Sequence, residues 1–372
     1  MLKFDIEKKK GLMRVGTIHT PHGDIKTPAF VGAATRSTVK ALTMKQMREL
    51  GSQSILANTY HLILRPGTDL IKEAGGLAKF SSWHGPTFTD SGGFQIFSLP
   101  DVKITEDGVK FKSHIDGRIF EMTPESSMQA QWSIGADIHM AFDHLAKSES
   151  REDMEVAMRR THAWLDRCVA EHHKIKSDAE KQNRPEQYLY AVVQGGTFND
   201  LREESAKYCA SKDVDGFGIG GVFTAEGMAE MLKVVNGVLP EDKPRHLLGM
   251  GQEPIDLFDG AENGCDTFDC VGPTRMARNG SLYTLDGRIN IKNAKFKHEF
   301  TPVMAECNCE CCKNYTRAYL HHLFKVDEIT AKILASIHNE HFVVNVVDKI
   351  RESILNDDFE AYRDEFLSRY YK

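Results

Sequence analysis

The stretch LYAVVQGGTFNDLREESAKYCASKDVDGFGIG, from Leu189 to Gly220, decides the fold. Its first part, Leu189 to Gln194, is a short apolar run that closes on a carboxamide and two glycines. Asn199 to Ala210 then has helical character, and Phe217 to Gly220 is again apolar and ends in glycine. Strand, helix, strand within one short segment is the signature of a βαβ unit.

Working outward, the same unit recurs. Eight runs have this form: Ala29 to Gly32, Ser54 to Asn58, Thr87 to Asp90, Ile138 to Asp143, Leu189 to Gln194, Phe217 to Gly220, Arg245 to Gly249 and Thr267 to Cys270. Helical stretches separate most of them, at Thr43 to Leu50, after the cap Thr123-Pro124, and at Arg151 to Lys174, Asn199 to Ala210, Thr224 to Val238 and Pro254 to Glu262. Eight strands alternating with helices predict an α/β fold, a closed (β/α)8 TIM barrel. A doubly wound open sheet is the rival, but no GxGxxG turn opens one of these helices.

Three segments lie outside the repeat. Leu12 to Ala29 predicts an N-terminal β-hairpin or small sheet around the turn His22-Gly23-Asp24. Phe94 to Thr123 reads as a β excursion with turns at Glu106-Asp107-Gly108 and Asp116-Gly117. Beyond Asp286 come a short β region, a cysteine cluster and helices from Val326 onward. The expected organisation is a barrel with its N-terminal β elements and catalytic site over 1–285. A zinc-binding subdomain with C-terminal helices over 286–372 packs onto it.

Composition excludes several classes. The chain has 372 residues, 41% hydrophobic and 27% charged, with 47 Lys and Arg against 53 Asp and Glu. That is a globular profile, not a disordered or collagen-like one. No window approaches the ~18 apolar residues of a membrane span. The start MLKFDIEKKK has neither an apolar signal core nor an Arg-rich transit character, which predicts a cytoplasmic protein.

The strand ends carry the chemistry. Run three ends in Asp90, followed by Ser91-Gly92-Gly93-Phe94-Gln95. Run four ends in Asp143, run five in Gln194-Gly195-Gly196, run six in Gly220-Gly221, and run seven in Gly249-Met250-Gly251; run eight carries Asp269. One Asp after a strand is ordinarily a helix cap or turn residue. Three carboxylates and a carboxamide in register around one barrel mouth make a site. Two carboxylates suit cleavage of a glycosidic bond, one attacking the anomeric carbon and one managing the leaving group's proton. A third beside an amide can read a donor and acceptor edge such as that of guanine.

Four of the eight cysteines fall within six residues, at Cys307, Cys309, Cys311 and Cys312. Tight clustering in a chain of this size is a metal site, not a disulfide framework. Cys307, Cys309 and Cys312 with His338 make a closed tetrahedral set of the structural zinc kind. Cys311 in place of Cys312, and His321 or His322 in place of His338, are the alternative ligands.

The string Thr89-Asp90-Ser91-Gly92-Gly93-Phe94-Gln95 resembles the active-site motif of tRNA-guanine transglycosylases. So do Ala57-Asn58-Thr59-Tyr60-His61-Leu62, Gln194-Gly195-Gly196-Thr197, Phe268-Asp269-Cys270-Val271 with Pro273-Thr274-Arg275, and Ala277-Arg278-Asn279-Gly280. The resemblance extends from about Gly11 to about Arg363 and is nearest to the bacterial, homodimeric branch. It implies a (β/α)8 barrel with one structural Zn2+, and it favours Cys312 as the third thiolate.

It also implies roles. Asp269 attacks C1′ of the nucleotide at tRNA position 34 and Asp90 is the general acid/base. Ser91, Gly92, Gly93 and Phe94 shape the base pocket, with Tyr60 available for stacking. Asp143 binds the purine's N–H edge; Gln194, Gly220 and the backbone N–H of Gly221 lie at its carbonyl side. Gly249, Met250, Gly251, Gln252, Glu253, Pro254 and Ile255 hold the anticodon loop, together with Thr274, Arg275, Met276, Ala277 and Arg278. The implied partners are tRNA with a GUN anticodon, a 7-deazaguanine base and a second copy of the chain, with no membrane.

Several residues depart from the bacterial pattern: Val222-Phe223-Thr224 after the glycine pair, His144-Leu145 after Asp143, and Gly272 before Pro273. They leave the carboxylates intact but touch the wall that meets the base's position-7 substituent. The expected incoming base is preQ1, with queuine as the alternative. A non-catalytic zinc-containing tRNA-binding subunit would lack one of the two carboxylates. A sugar glycosidase would not need Arg275 and Arg278. Between Arg275 and Lys325, nine Lys and Arg face four Asp and Glu, a local +5 within a chain of net -6. A basic surface beside the mouth suits a phosphate backbone.

Overall fold

In the computed structural model, residues 1–220 and 225–372 are described. Eight strands close a barrel: β1 (Ala29–Ala33), β2 (Ser54–Ala57), β3 (Thr87–Thr89), β4 (Ile138–Met140), β5 (Tyr188–Val193), β6 (Gly216–Ile219), β7 (Arg245–Leu247) and β8 (Thr267–Cys270). All neighbours are parallel and follow chain order, and β8 returns to pair with β1. All eight runs read from the sequence are barrel strands, so the open-sheet alternative is discarded.

The connecting helices begin where local chemistry starts them. Thr43 caps Met44–Glu49 in a reciprocal pair with Gln46. Thr123 caps Pro124–Ile134 in the same way with Ser126, and Pro124 costs nothing in a first turn whose N–H groups lack helical partners. Arg151–Lys181 follows β4, Asn199–Ala210 follows β5, and Pro254–Glu262 follows β7. The excursion between β3 and β4 is a three-stranded antiparallel sheet of Lys103–Ile104, Val109–Lys112 and Ile119–Met122.

The N-terminal element is larger than a hairpin. Lys3–Lys10 adds a third antiparallel strand to Met13–Thr20 and Gly23–Thr27. Its charged residues disguised it, yet Leu2 and Phe4 are buried with Ile18, Ile25 and the barrel-interior residues Val31, Leu56, Phe88, Ile138 and Tyr190. The Leu2 amide donates to Asp215 Oδ1 at 2.9 Å, just before β6 begins. This sheet therefore plugs the end of the barrel opposite the strand C-termini and leaves the other mouth for ligands.

After β8 come the helix Gly272–Arg278 and an antiparallel pair, Ser281–Thr284 with Gly287–Asn290. Helices Glu310–Asn314, Arg317–Lys325, Ile329–Asn356 and Phe359–Tyr370 follow. Ile329–Asn356 packs on β1 and on Gly272–Arg278. Its buried Asn339 donates to the Pro273 and Ser281 carbonyls, both at 3.0 Å, and accepts from the Tyr283 amide at 3.2 Å. No helix among the described residues is long and apolar enough to cross a membrane.

Candidate active site

Asp90 follows β3, and its carboxylate is held from three directions. The Thr59 and Gly92 amides donate to Oδ1 at 3.0 Å each, and Asn58 Nδ2 donates to Oδ2. Gly92 can do this because it sits at φ +77, where a Cβ would come 2.8 Å from the Tyr60 nitrogen. Burial pushes the Asp90 carboxyl up to about 7; the three donors oppose that rise and the charge of Asp269 adds to it. A carboxyl poised there gives and takes a proton near neutrality.

Asp269 lies within β8, 9% exposed. The Gly249 amide donates to its Oδ1 at 2.9 Å and His246 Nε2 lies 3.1 Å from the same oxygen. Oδ2 makes no hydrogen bond among the described residues. His246 is fully buried on β7, with its ring stacked on Phe88 at 5.4 Å and its Nδ1 2.8 Å from Thr267 Oγ1.

Asp143, beyond β4, and Gln194, beyond β5, meet directly: Gln194 Nε2 donates to Asp143 Oδ2 at 2.7 Å. Ser91 Oγ donates to Asp143 Oδ1 at 2.7 Å. Burial raises the Asp143 carboxyl above the ordinary range against the pull of these two donors. Gly93 stands close behind, where a Cβ would lie 3.0 Å from the Asp143 carbonyl. Of the sequence-predicted set, Ser91, Asp143 and Gln194 are in direct contact, Asp90 immediately precedes Ser91, and Asp269 lies near enough for its charge to act on Asp90. Gly221 and the departures Val222, Phe223 and Thr224 lie outside the described residues.

The remaining residues fall around this centre. Phe94 is 64% exposed. Tyr60 is buried, and its hydroxyl pairs with His114 Nδ1 at 2.6 Å, so its ring is spent inside the protein. Gly249 and Gly251 turn the chain after β7 at φ +72 and +117. The Gln252 carbonyl accepts from Tyr283 Oη, and Glu253 caps Pro254–Glu262 and pairs with Arg288 at 2.9 Å. Met250 is half-buried, Pro254 buried and Ile255 exposed. On Gly272–Arg278, Arg275 is exposed, Thr274 and Ala277 are buried, Met276 is half-buried, and Arg278 Nε donates to the Thr274 carbonyl at 3.0 Å.

Two departures have local reasons. A Cβ on Gly272 would come 2.7 Å from Gln252 Cγ and 3.1 Å from Cys270 Sγ. His144 turns into the protein, packed on Phe97 at 4.9 Å with Nδ1 3.2 Å from Arg160.

Cys307, Cys309, Cys312 and His338 converge, all buried, with ligand atoms within 4.8 Å of one another. The three Sγ atoms stand 3.7, 3.7 and 3.3 Å from His338 Nδ1. Tetrahedral ligands at ~2.3 Å for sulfur and ~2.0 Å for nitrogen have edges of that size. The opposite ring nitrogen, Nε2, lies 2.7 Å from the Tyr283 carbonyl, which fixes the ring and leaves Nδ1 to a metal. Cys311 is buried outside the group, and His321 Nδ1 is occupied by the Ile291 carbonyl at 2.8 Å. The donor set therefore fits a divalent metal, with Cys312 and His338 as the third and fourth ligands.

Three contributors escaped the sequence reading. Asn58 ended a predicted run and could have been counted with the other strand ends. His246 stands between Arg245 and Leu247 with nothing to mark it. Arg202 is fully buried and joins two strand ends: Nε donates to the Gly196 carbonyl at 2.8 Å, and Nη1 to the Val193 and Gly220 carbonyls at 3.0 and 2.7 Å.

Known proteins resemble this chain over nearly its whole length. A family model described as queuine tRNA-ribosyltransferase matches residues 9–372. Proteins of that name from Desulforamulus reducens and Herpetosiphon aurantiacus are 45% and 46% identical. The alignments cover 98% and 99% of this chain, and 98% and 92% of those proteins. The Bacillus subtilis protein is 43% identical over 99% of this chain and 95% of its own length.

Proposed function

The chain belongs to the queuine tRNA-ribosyltransferase family, the tRNA-guanine transglycosylases, and from that membership we propose that it replaces guanine at wobble position 34 by preQ1 through a covalent aspartyl-ribose intermediate. Asp269 Oδ2 attacks C1′, the C1′–N9 bond breaks, and its electron pair leaves with guanine, which takes a proton from Asp90. The incoming base then gives its N9 proton to Asp90 and attacks C1′, and the pair of the C1′–Oδ2 bond returns to the carboxylate. Two displacements retain the anomeric configuration, and one glycosidic bond is exchanged for another without a redox cofactor or ATP.

The observation that carries this reading is the division of labour between the carboxylates. The Asp90 carboxyl is pushed up to about 7, while Asp269 is tied by Oδ1 and its Oδ2 makes no hydrogen bond among the described residues. Asp143 accepts from the purine's N–H edge, and Gln194 and the backbone N–H of Gly221 bind its carbonyl oxygen. Reaching the base requires nucleotide 34 to be splayed from its stack. Arg275, Arg278 and the basic stretch behind them meet the anticodon backbone. The Cys3His site holds one Zn2+, which fixes the C-terminal segment and takes no part in bond exchange. The enzyme works in the cytoplasm as a homodimer on GUN-anticodon tRNAs.

The test is a denaturing gel with unmodified tRNA and each candidate base. Wild type gives a covalent enzyme–tRNA band; Asp269→Asn binds tRNA and gives none. Release of labelled guanine from tRNA by preQ1 supports the assignment, whereas release by queuine alone overturns the preQ1 part of it.

A further inference from the structure

Inside a strand, side chains two apart point to one face. Thr267 and Asp269 on β8 are such a pair, and His246 on β7 is the register partner of Thr267. The imidazole therefore sits in the barrel interior between them, 2.8 Å from Thr267 Oγ1 and 3.1 Å from Asp269 Oδ1. A carboxylate only accepts, so Nε2 is the nitrogen that donates to Asp269, and Nδ1 faces the Thr267 hydroxyl. Phe88 covers one face of the ring at 5.4 Å, and no part of His246 reaches solvent. Water cannot replace this donor.

We propose that His246 is a positioning residue that, with the Gly249 amide, holds Asp269 by Oδ1 and stabilises its carboxylate as the leaving group of the second displacement. This inference rests on the nucleophile role proposed for Asp269. The two N–H groups occupy Oδ1, which leaves Oδ2 to form and break the bond to C1′. In the ester, Oδ1 is a neutral carbonyl oxygen. When the C1′–Oδ2 bond breaks, the electron pair returns to the carboxylate, and its charge spreads onto the oxygen that His246 and Gly249 hold. A hydrogen bond to a charged acceptor is stronger than one to a neutral acceptor. Removing the His246 donor therefore penalises the free carboxylate more than the ester.

The full-length, zinc-loaded chain is tested as His246→Phe, which keeps the ring and loses both hydrogen bonds, and as His246→Gln, which restores an N–H donor. A bond to a charged group is worth ~1.5–3 kcal/mol, roughly ten- to a hundredfold. Guanine exchange by His246→Phe is expected to fall at least about tenfold. The fraction of enzyme trapped as adduct should stay at or above the wild-type level, with His246→Gln regaining most of the rate. A trapped fraction that falls with turnover, a His246→Phe rate within about twofold of wild type, or failure of His246→Gln to recover would each overturn the proposal. Failure of the underlying reading looks different: wild type itself gives no adduct, or Asp269→Asn still does.

Discussion

Asn58 holds Asp90 with one end of its amide and a helix with the other: Nδ2 donates to Asp90 Oδ2, and Oδ1 accepts the His61 amide at 3.0 Å as the cap of Thr59–Leu64. The cap fixes which way the amide faces, so an N–H must meet Asp90. Helix start and acid are thereby set by one side chain.

That arrangement predicts a pH shift. The Asn58 donor favours the ionised form of Asp90 and opposes the burial that lifts the group to about 7. Asn58→Ser keeps a cap but shortens the reach to Asp90, so the Asp90 value rises above 7. The alkaline limb of kcat/KM against pH moves upward, because the protonated acid persists to higher pH. A limb that stays in place or moves down contradicts this.

Asp143 and Gln194 make a second prediction. Both Asp143 oxygens accept, one from Ser91 and one from Gln194, which suits the purine-reading role proposed for it. Asp143→Asn turns one acceptor into a donor and sets N–H against N–H. Each lost or opposed hydrogen bond costs ~1–3 kcal/mol, so KM for the free base rises about tenfold or more while tRNA affinity is kept. Base-titration kinetics beside a tRNA filter-binding curve separate the two.

The carboxylates were legible because a parallel barrel brings strand C-termini to one mouth, and each sits at or just after such an end. The strands were legible because most of the runs are followed by a helical stretch. Lys3–Lys10 was not, since only Phe4 and Ile6 of that strand, with Leu2 before it, pack into the barrel plug and charged residues fill the rest. His246 needed the register with Thr267, which pairs residues 21 apart in sequence through a closed sheet. Arg202 reads as one more charge on an amphipathic helix; only the fold turns it inward.

Arg202 therefore supplies a third prediction. Burial lowers its guanidinium to about 9, yet it remains the donor to the Val193, Gly196 and Gly220 carbonyls. Arg202→Leu preserves apolar bulk and strips those carbonyls of their partner. Stability falls by ~2–5 kcal/mol by denaturant titration. KM for the base rises with it, because Gln194 stands between Val193 and the glycine turn. A destabilised variant with unchanged base KM would separate the arginine from the site.

The metal cluster gives the last prediction, and the two adjacent cysteines are its control. Cys312 Sγ lies 3.3 Å from His338 Nδ1, whereas Cys311 is buried on another side of the short helix Glu310–Asn314 and outside the ligand group. Both are deeply buried, so a loss of packing alone would make the two substitutions alike. Metal content does not follow packing. Cys311→Ala is expected to retain about one zinc per chain and to melt a few degrees lower, as a small cavity would cause. Cys312→Ala leaves three ligands and releases its zinc to a chelator much faster. Because metal affinity and folding are linked, its melting temperature becomes sensitive to added zinc. Elemental analysis of both variants after dialysis against chelator decides the ligand: equal zinc in the two, or loss from Cys311→Ala alone, would take Cys312 out of the coordination sphere.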